Sequence, residues 1–336
     1  MNIDLRNMCP NVLVTGGAGY VGSVLVTKLL QLNYYVRTLD IYYFGYRSLS
    51  HLRGHLYFDE LLGDIRDEPL VVNATSEIDC IIHLACISND PSFDLDPSLG
   101  KSINYDAFLM LFSIIKARGV KLIIFASTSS VYGIKYSELV DEECRPNPLT
   151  DYSKFKYYCE RILLTSSTDK LYSIIVRSAT VCGYSPRMRL DLVPNLFINQ
   201  ACARSELLIC GGYQFRPLIH INDITDLYIS LLSTSWKNLS GKILNVGYIN
   251  FSVEDLAEVI ISQISYCYVD VKKVDTSDIR SYRLCSNYIK SVLNWSARFT
   301  LNQSIYQLKD KINSNLFVNT SNDINYYNIK RMSVII

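Results

Sequence analysis

Residues 11–22 read NVLVTGGAGYVG, and this stretch decides the fold. The apolar, β-branched run at residues 11–15 is typical of a buried strand. Closely spaced glycines follow at once, and residues 23–32 then carry apolar side chains at helical spacing. A strand, a glycine turn and a helix in this order let backbone amides at the helix N-terminus approach a pyrophosphate closely. The stretch therefore predicts a dinucleotide-binding unit, which its flanks favour over a simple tight turn.

A carboxylate ends the second predicted strand. Residues 35–40 read YVRTLD, and Asp40 lies 18 residues beyond Gly22. An acidic residue about 20 residues past the glycines binds the adenosine ribose hydroxyls in such units. Because its charge repels a 2′-phosphate, Asp40 favours NAD over NADP.

More strands alternate with helical stretches along the first half of the chain. They are predicted at residues 56–61, 79–85, 121–126 and 172–177. This alternation indicates an α/β fold with a parallel, doubly wound sheet, whose ligand crevice lies at the carboxyl ends of the strands. Asp64 follows the third strand and could meet an adenine amino group, while Leu84 and Ala85 end the fourth strand at the same edge.

Tyr152 and Lys156 are four residues apart, so a helix would place both side chains on one face. A phenol ionises near pH ~10, and an ammonium one turn away lowers that pKa. A tyrosine tuned in this way can take a proton from a sugar hydroxyl while a hydride leaves the same carbon. Thr128, at the end of the fifth strand, could hydrogen-bond the same oxygen. With 25 tyrosines in the chain, the pair alone also arises by chance.

Composition excludes several classes of partner. The 336 residues are 49% hydrophobic and 19% charged, with a net charge of +1, which gives no reason to expect nucleic acid or an anionic membrane. No apolar run approaches the ~18 residues of a membrane span. The ten cysteines are scattered, without a Cys-x-x-Cys pair. We therefore expect a cytoplasmic protein with reduced thiols and no metal site.

Beyond residue 180 the alternation of strands and helices loosens. A loop at residues 182–189 is rich in turn residues and arginines, and asparagines are frequent in the last 20 residues. We expect a nucleotide-binding domain at residues 10–180 and a smaller α/β substrate-binding region at 181–315, parts of which rejoin the first domain. Residues 316–336 are predicted to be a mobile tail.

Taken together, the motifs resemble the extended short-chain dehydrogenase/reductases, the family of nucleotide-sugar epimerases and dehydratases. The resemblance covers roughly residues 10 to 298. It rests on residues 15–22, Asp40, Asp64-Ile65, 83–85, Asn104, Thr128 ahead of 131–133, Tyr152 with Lys156, and 216–223. Each motif is weak alone, but their order and spacing are specific.

The resemblance implies a Rossmann-type fold, NAD as the cofactor and a nucleotide sugar as the substrate. The implied cofactor-binding residues are Gly16, Gly19, Tyr20, Val21, Gly22, Asp40, Asp64, Ile65, Leu84, Ala85, Tyr152 and Lys156. Thr128, Tyr152 and Lys156 would be catalytic, with Lys156 binding the nicotinamide ribose and lowering the pKa of Tyr152. The implied substrate-binding residues are Asn104, Thr128, Thr180, Arg187, Arg216 and Arg280. Arg216 and Arg280 would hold the diphosphate. A homodimer is implied through helices at 99–117 and 151–166.

The pattern is most similar to UDP-glucose 4-epimerase-like members, which predicts oxidation of an NDP-hexose at C4 and return of the hydride to the opposite face. A 4,6-dehydratase is disfavoured, because Ser129 and Ser130 occupy the places of that subfamily's Asp-Glu pair. A 4-ketosugar reductase using NADPH is disfavoured by Asp40, and a non-catalytic binding protein would not need Thr128, Tyr152 and Lys156 together. Thr180, where many members have asparagine, and the unusual loop at 87–93 leave the substrate open.

Overall fold

The computed structural model describes residues 10–336, except residues 167, 169, 265–267, 277, 315, 318 and 321. The strands are β1 (Val12–Thr15), β2 (Val36–Asp40), β3 (Phe58–Leu62), β4 (Cys80–His83), β5 (Leu122–Thr128), β6 (Ile134–Val140), β7 (Tyr172–Ser178), β8 (Thr180–Cys182), β9 (Glu206–Cys210), β10 (Phe215–His220), β11 (Lys242–Val246), β12 (Ile249–Ser252), β13 (Asp270–Val274) and β14 (Ser281–Leu284). The α-helices are α1 (Tyr20–Gln31), α2 (Glu68–Ala74), α3 (Asp90–Phe93), α4 (Pro97–Lys101), α5 (Ala107–Arg118), α6 (Asp151–Ser166), α7 (Val193–Arg204), α8 (Ile221–Leu232), α9 (Trp236–Leu239), α10 (Val253–Ile264), α11 (Asn287–Leu293), α12 (Leu301–Asn313) and α13 (Asn328–Ile335). Within the described ranges, no helix is both long and apolar enough to cross a membrane.

Seven of the described strands form one sheet in the order β11-β7-β5-β4-β1-β2-β3. All neighbouring strands in it are parallel. Strand β1 is apolar throughout because both of its faces are buried. Val12 and Val14 pack into a core cluster with Leu25 of α1, whereas Leu13 packs on the opposite face with Phe108 of α5. Helices thus cover both faces, and the predicted doubly wound parallel sheet is confirmed.

The strand predictions for the first half agree with the structure to within two residues at each end. The edge strand β11 was missed. It pairs in parallel with β7 and comes from the segment assigned to the substrate-binding region. The rest of that segment forms small sheets, including the three-stranded sheet β12-β10-β8. Because β8 follows β7 directly, it brings this second region to the carboxyl edge of the large sheet.

The C-terminal residues differ from the sequence prediction of a mobile tail over 316–336. Residues 324–326 form a 3₁₀ turn, and α13 follows. Met332 is buried in the core cluster that contains α5 and α6. Arg331 Nε donates to the Tyr43 carbonyl over 2.7 Å. The asparagine-rich composition indicated mobility, but this apolar anchor and the hydrogen bond attach the segment to the rest of the fold.

A buried ion pair connects α6 to the sheet. The Arg177 guanidinium on β7 donates to both carboxylate oxygens of Glu160 on α6, at 3.0 and 2.6 Å, and both side chains are almost completely buried. Ser127 on β5 donates to the same carboxylate, and Arg177 also donates to the Tyr132 hydroxyl over 2.8 Å. Every charge in this network is paired, which is the condition for burying charges without a large penalty.

We expect Glu160→Gln to destabilise the protein by about 3–5 kcal/mol, because it leaves the buried Arg177 charge uncompensated. Lys101→Gln is the control, since it breaks the half-exposed pair with Asp106 and should cost less than about 1 kcal/mol. Urea unfolding of both variants measures the difference. Equal stability of the two variants would contradict the structural role of Glu160.

Candidate active site

A cleft of about 470 Å³ opens at the carboxyl ends of β1, β2, β4, β5 and β7. Nearly all the residues predicted for a cofactor or substrate line it. They are Gly16, Gly19, Tyr20, Val21, Gly22, Asp40, Asp64, Ile65, Leu84, Ala85, Thr128, Tyr152, Lys156, Thr180, Arg187, Arg216 and Arg280. The sheet therefore brings together residues that are up to 264 positions apart in the sequence. Asn104 is the predicted residue that does not line the cleft.

Asn104 hydrogen-bonds Ile87, a residue of the loop that lines the cleft. Its side chain accepts from the Ile87 amide at 2.8 Å and donates to the Ile87 carbonyl at 3.0 Å, and the residue is buried. The structure thus gives Asn104 a role in positioning the loop that follows β4, and the substrate-binding role implied for it stays a prediction. The predicted helix at 99–117 is interrupted at this point by a π-turn over residues 102–106, which contains Asn104.

The glycine turn after β1 leaves no room for side chains. Gly16 has a φ of +74°, and a Cβ atom there would lie 2.7 Å from the Ala85 amide nitrogen. A Cβ atom on Gly22 would lie 2.3 Å from the Gly16 carbonyl oxygen. Gly19 is the N-cap of the 12-residue helix α1, which has no acidic residue in its first turn. A bare backbone at an uncompensated helix N-terminus fits the pyrophosphate of NAD.

Asp40 is fixed against this turn. Its two carboxylate oxygens accept from the Ala18 amide at 2.9 Å and from the Tyr42 amide at 2.8 Å. Burial raises the pKa of Asp40, and the backbone hydrogen bonds oppose that rise. Asp64 is held differently, because burial tends to raise its pKa but hydrogen bonds from Arg66 outweigh this and lower it. The carboxylate beside the glycine turn fits the ribose of NAD.

The catalytic candidates come from α6 and β5. The Tyr152 phenol lies beside the Thr128 hydroxyl, which acts to lower the pKa of the phenol, and Thr128 also contacts the Ser130 hydroxyl at 3.0 Å. Lys156 is buried, and its Nζ donates to the Ala126 carbonyl over 2.8 Å. The helical spacing thus places the phenol and the ammonium on one face, against the end of one strand, as the sequence predicted.

The electrostatics of Tyr152 differ from the prediction that Lys156 lowers its pKa. Burial raises the pKa of the phenol well above its ordinary value, and the nearby Cys86 and Asp90 raise it further. The groups that oppose this rise are Arg189 and the hydroxyl of Thr128. The Lys156 ammonium is instead engaged with the strand carbonyl, so Tyr152 carries its proton at neutral pH in this structure.

Arg216 and Arg280 face the cleft from the second region, and two carboxylates pair with them. Asp278 accepts from Arg216 at 2.8 Å and from two nitrogens of Arg280 at 2.7 Å. Arg280 also donates to Asp90. Burial acts against both charges, but the hydrogen bonds prevail, so the pKa of Asp278 is lowered to about 2 and that of Arg280 is raised. The predicted diphosphate site therefore contains two arginines within a balanced set of charges.

Arg187 and Arg189, in the loop after β8, are buried rather than exposed. Arg189 pairs with Asp191 at 3.0 Å and donates to the Ser88 hydroxyl at 3.0 Å. Arg187 stacks its guanidinium on the Phe44 ring, with 4.0 Å between its central carbon and the ring centroid. The resemblance implied a substrate role for Arg187, but the structure places it in the half of the cleft that holds Asp40.

Several cleft residues were not found from the sequence. Asp90 and Asp278 pair with the arginines, Tyr282 hydrogen-bonds Ser129 over 3.1 Å, and Asn328 reaches the cleft from α13. Only Asp90 carried a signal, because it belongs to the unusual loop at 87–93. Its neighbour Asn89 has a φ of +94° and a ψ of +153°, a backbone region almost confined to glycine and a mark of functional sites.

We expect Gly16→Ala to weaken NAD binding by at least about tenfold, because the new methyl group must displace Ala85 or the turn itself. Gly119→Ala is a matched control: Gly119 has a φ of +72° with open space around it. That variant should cost about 1–2 kcal/mol of stability through its backbone conformation alone and leave NAD binding unchanged. Titration calorimetry with NAD on both variants measures the contrast, and wild-type affinity in Gly16→Ala would contradict the assigned role of the turn.

Comparison with known proteins agrees with this geometry. The model of the NAD-dependent epimerase/dehydratase family matches residues 12–247. The chain is 26% identical over 254 residues to a UDP-glucose 4-epimerase of Lactobacillus helveticus, covering 70% of this chain and 76% of that one. It is 28% identical over 308 residues to UDP-glucuronic acid decarboxylase 3 of Arabidopsis thaliana, covering 88% and 86% of the two chains.

A solved structure with a similar fold is the UDP-glucuronic acid 4-epimerase of Bacillus cereus, in complex with UDP-glucuronic acid and NAD. It superposes with a TM-score of 0.81 at 26% identity and covers 90% of this chain and 99% of its own. The family match spans well over half of the chain and includes the glycine turn, Asp40 and the Tyr152 helix. The chain belongs to the NAD-dependent epimerase/dehydratase family and is an enzyme whose cofactor is NAD.

Proposed function

We propose that the protein is a nucleotide-sugar epimerase that oxidises an NDP-hexose at C4 to a transient ketone and returns the hydride to the opposite face. The proposal rests on the arrangement of the residues that line the cleft. Thr128, Tyr152 and Lys156 line one wall, between the glycine turn and the arginines of the second region. A sugar held at Tyr152 would thus lie between the cofactor and the residues suited to a diphosphate.

Residues of the protein would transfer the proton. Thr128 would hold the C4 hydroxyl, and Tyr152 would take its proton during oxidation and give it back during reduction. NAD, when bound, supplies the acceptor for the hydride. Lys156 would hold the cofactor ribose from its buried position on α6. Because Tyr152 is protonated at neutral pH, the oxidation step requires positive charge to lower its pKa, and Arg189 already acts in that direction.

The surroundings of Thr128 favour epimerisation over dehydration. Ser129 is hydrogen-bonded to Tyr282, and Ser130 to Thr128. Neither serine can act as the carboxylate acid or base that loss of water requires at neutral pH. A reductase using NADPH is disfavoured by Asp40, because two backbone amides hold its carboxylate beside the glycine turn. A non-catalytic protein would not need the arrangement of Tyr152 and Thr128.

For the nucleotide, we propose uridine diphosphate. The relatives compared above are named for UDP-glucose and UDP-glucuronic acid. The chemistry of the cleft agrees, since Arg216 and Arg280 offer the planar, multidentate donors that suit a diphosphate. Binding would require them to share those donors between phosphate oxygens and the carboxylates of Asp278 and Asp90.

The decisive experiment combines the purified protein with its released cofactor and a panel of UDP-, GDP- and dTDP-sugars, including UDP-glucose and UDP-glucuronic acid. An epimerase gives a product of equal mass and a different configuration, with no net change in nicotinamide absorbance. Loss of water would indicate a dehydratase, loss of carbon dioxide a decarboxylase, and steady NADPH consumption a reductase. Any of these three outcomes overturns the proposal.

We expect Tyr152→Phe to lower kcat by about 10²–10⁴-fold while NAD remains bound, because the variant loses only the hydroxyl that carries the proton. Tyr306→Phe is the matched control, since it removes a hydroxyl from an exposed tyrosine of helix α12, away from the cleft. Turnover and bound NAD are measured side by side. A fully active Tyr152→Phe would refute the role of Tyr152.

We also propose a cytoplasmic homodimer that pairs through α5 and α6. Leu109 on α5 and Tyr158 on α6 are exposed, and α6 contacts the turn that precedes α5. A second copy of the chain could cover these two helices in an isologous contact. Sedimentation equilibrium tests the proposal, and a monomer at micromolar concentration contradicts it.

A further inference from the structure

Arg187 differs from the other arginines of the cleft in having no carboxylate partner. Among the described residues it forms no ion pair, and its Nε, although buried, has no hydrogen-bond partner. The side chain is 5% exposed and lines the cleft. Burial and the charge of Arg189 lower its pKa to about 9, so it is still charged at neutral pH. Asp191 and Asp40 act on this charge from a distance, and neither forms an ion pair with it. A buried cation without a direct ion-pair partner is costly, which indicates that an anion belongs beside it.

The position of Arg187 indicates which anion that is. Its charge acts on Asp40 and on Tyr20, the first residue of α1. Its guanidinium rests on Phe44, four residues beyond Asp40. These contacts place Arg187 at the junction of the glycine turn and the ribose carboxylate. The arginines suited to a substrate diphosphate are already paired with Asp90 and Asp278. The pyrophosphate of the dinucleotide is therefore the anion that fits Arg187.

The far C-terminus holds this arginine in place. Arg187 donates to the side-chain oxygen of Asn328, the first residue of α13. The Asn328 amide nitrogens are used as well: the backbone amide donates to Asp191 at 2.9 Å, and the side chain donates to Ser88 at 3.3 Å. Asn328 is 2% exposed and lines the cleft. One asparagine thus joins Arg187, the loop after β4 and the segment before α7.

We propose that residues 322–336, here called the C-terminal strap, form part of the cofactor site, with Asn328 orienting Arg187 toward the pyrophosphate of NAD. The inference rests on NAD being the cofactor and not on which sugar is turned over. Met332 and Arg331 anchor the strap across the adenosine half of the cleft, so it also slows release of the cofactor. The strap lies beyond the 12–247 family match.

The test measures NAD itself, in the full-length protein from which bound cofactor has been stripped. The variants are Arg187→Gln, Arg187→Lys and Asn328→Ala, with Lys330→Gln as the matched control. Like Arg187→Gln, Lys330→Gln removes one positive charge, but Lys330 lies at an exposed position on α13. Titration calorimetry gives the dissociation constant for NAD, and stopped-flow displacement gives the release rate.

We expect Arg187→Gln to raise the dissociation constant for NAD by about 10- to 100-fold, the loss of one charge-assisted contact. Asn328→Ala should raise the constant by about tenfold through faster release, because Arg187 keeps its charge but loses its orientation. Arg187→Lys should recover part of the affinity, and Lys330→Gln should bind as the wild type does. The salt dependence of NAD affinity should weaken in Arg187→Gln only, which a purely structural role would not produce.

Wild-type NAD affinity in both Arg187→Gln and Asn328→Ala overturns the proposal. So does a loss confined to binding of UDP, measured in the same variants, because that result would assign Arg187 to the substrate. Thermal unfolding without NAD identifies variants that fail to fold. If Arg187→Gln fails to fold, the NAD affinity of Arg187→Lys is compared with that of the wild type instead. A protein that binds NAD as expected but converts no sugar would contradict the proposed function and leave this inference intact.

Discussion

One stripe of helix α6 meets the last three residues of strand β5, and the chemistry of the cleft depends on this contact. Tyr152, Lys156 and Glu160 are spaced four residues apart and lie on one face of the helix. Tyr152 lies beside Thr128, Lys156 donates to the Ala126 carbonyl, and Glu160 accepts from Ser127. Glu160 also forms an ion pair with the Arg177 guanidinium. The stability of the buried ion pair and the alignment of the phenol are thus properties of one interface.

The charges around the cleft divide it into two halves with different character. In the half formed by the second region, Arg216 and Arg280 are balanced by Asp278 and Asp90. In the half that contains the glycine turn, Arg187 has no ion-pair partner among the described residues, and the carboxylate of Asp40 accepts hydrogen bonds from two backbone amides. A ligand entering the first half must compete with existing ion pairs, which favours exchange. A pyrophosphate entering the second half would pair with a cation that has no direct ion-pair partner, which favours retention.

The central sheet and most of the cleft could be predicted from the sequence because their signals are local. The apolar run at 12–15, the glycines that follow it and the four-residue spacing of Tyr152 and Lys156 each determine structure within a few residues. The partners of the arginines could not be predicted in this way. Asp90 and Arg280 are 190 residues apart, and Arg187 and Asn328 are 141 residues apart. Such pairs depend on how the second region and α13 pack on the sheet.

The same distinction explains two predictions that the structure corrects. The helix around Asn104 has apolar spacing throughout, but its amide side chain finds both polar groups of Ile87 and the helix adopts a π-turn there. The last 20 residues have the composition of a tail, but Met332 has a place in the core and Asn328 has polar partners at the cleft. In both cases long-range partners outweighed the local signal.

Fold and overall similarity do not determine which reaction takes place. The chain is 26% identical to a protein named an epimerase and 28% identical to one named a decarboxylase, so identity alone gives no preference. The type of reaction is therefore determined by the residues next to the reacting carbon. Directly after Thr128 the chain presents two serines, each with a hydrogen-bond partner, and neither can act as a carboxylate. In the proposed reaction the phenol of Tyr152 would exchange the proton with the sugar hydroxyl, and a single reversible proton carrier is what oxidation and reduction at one carbon require.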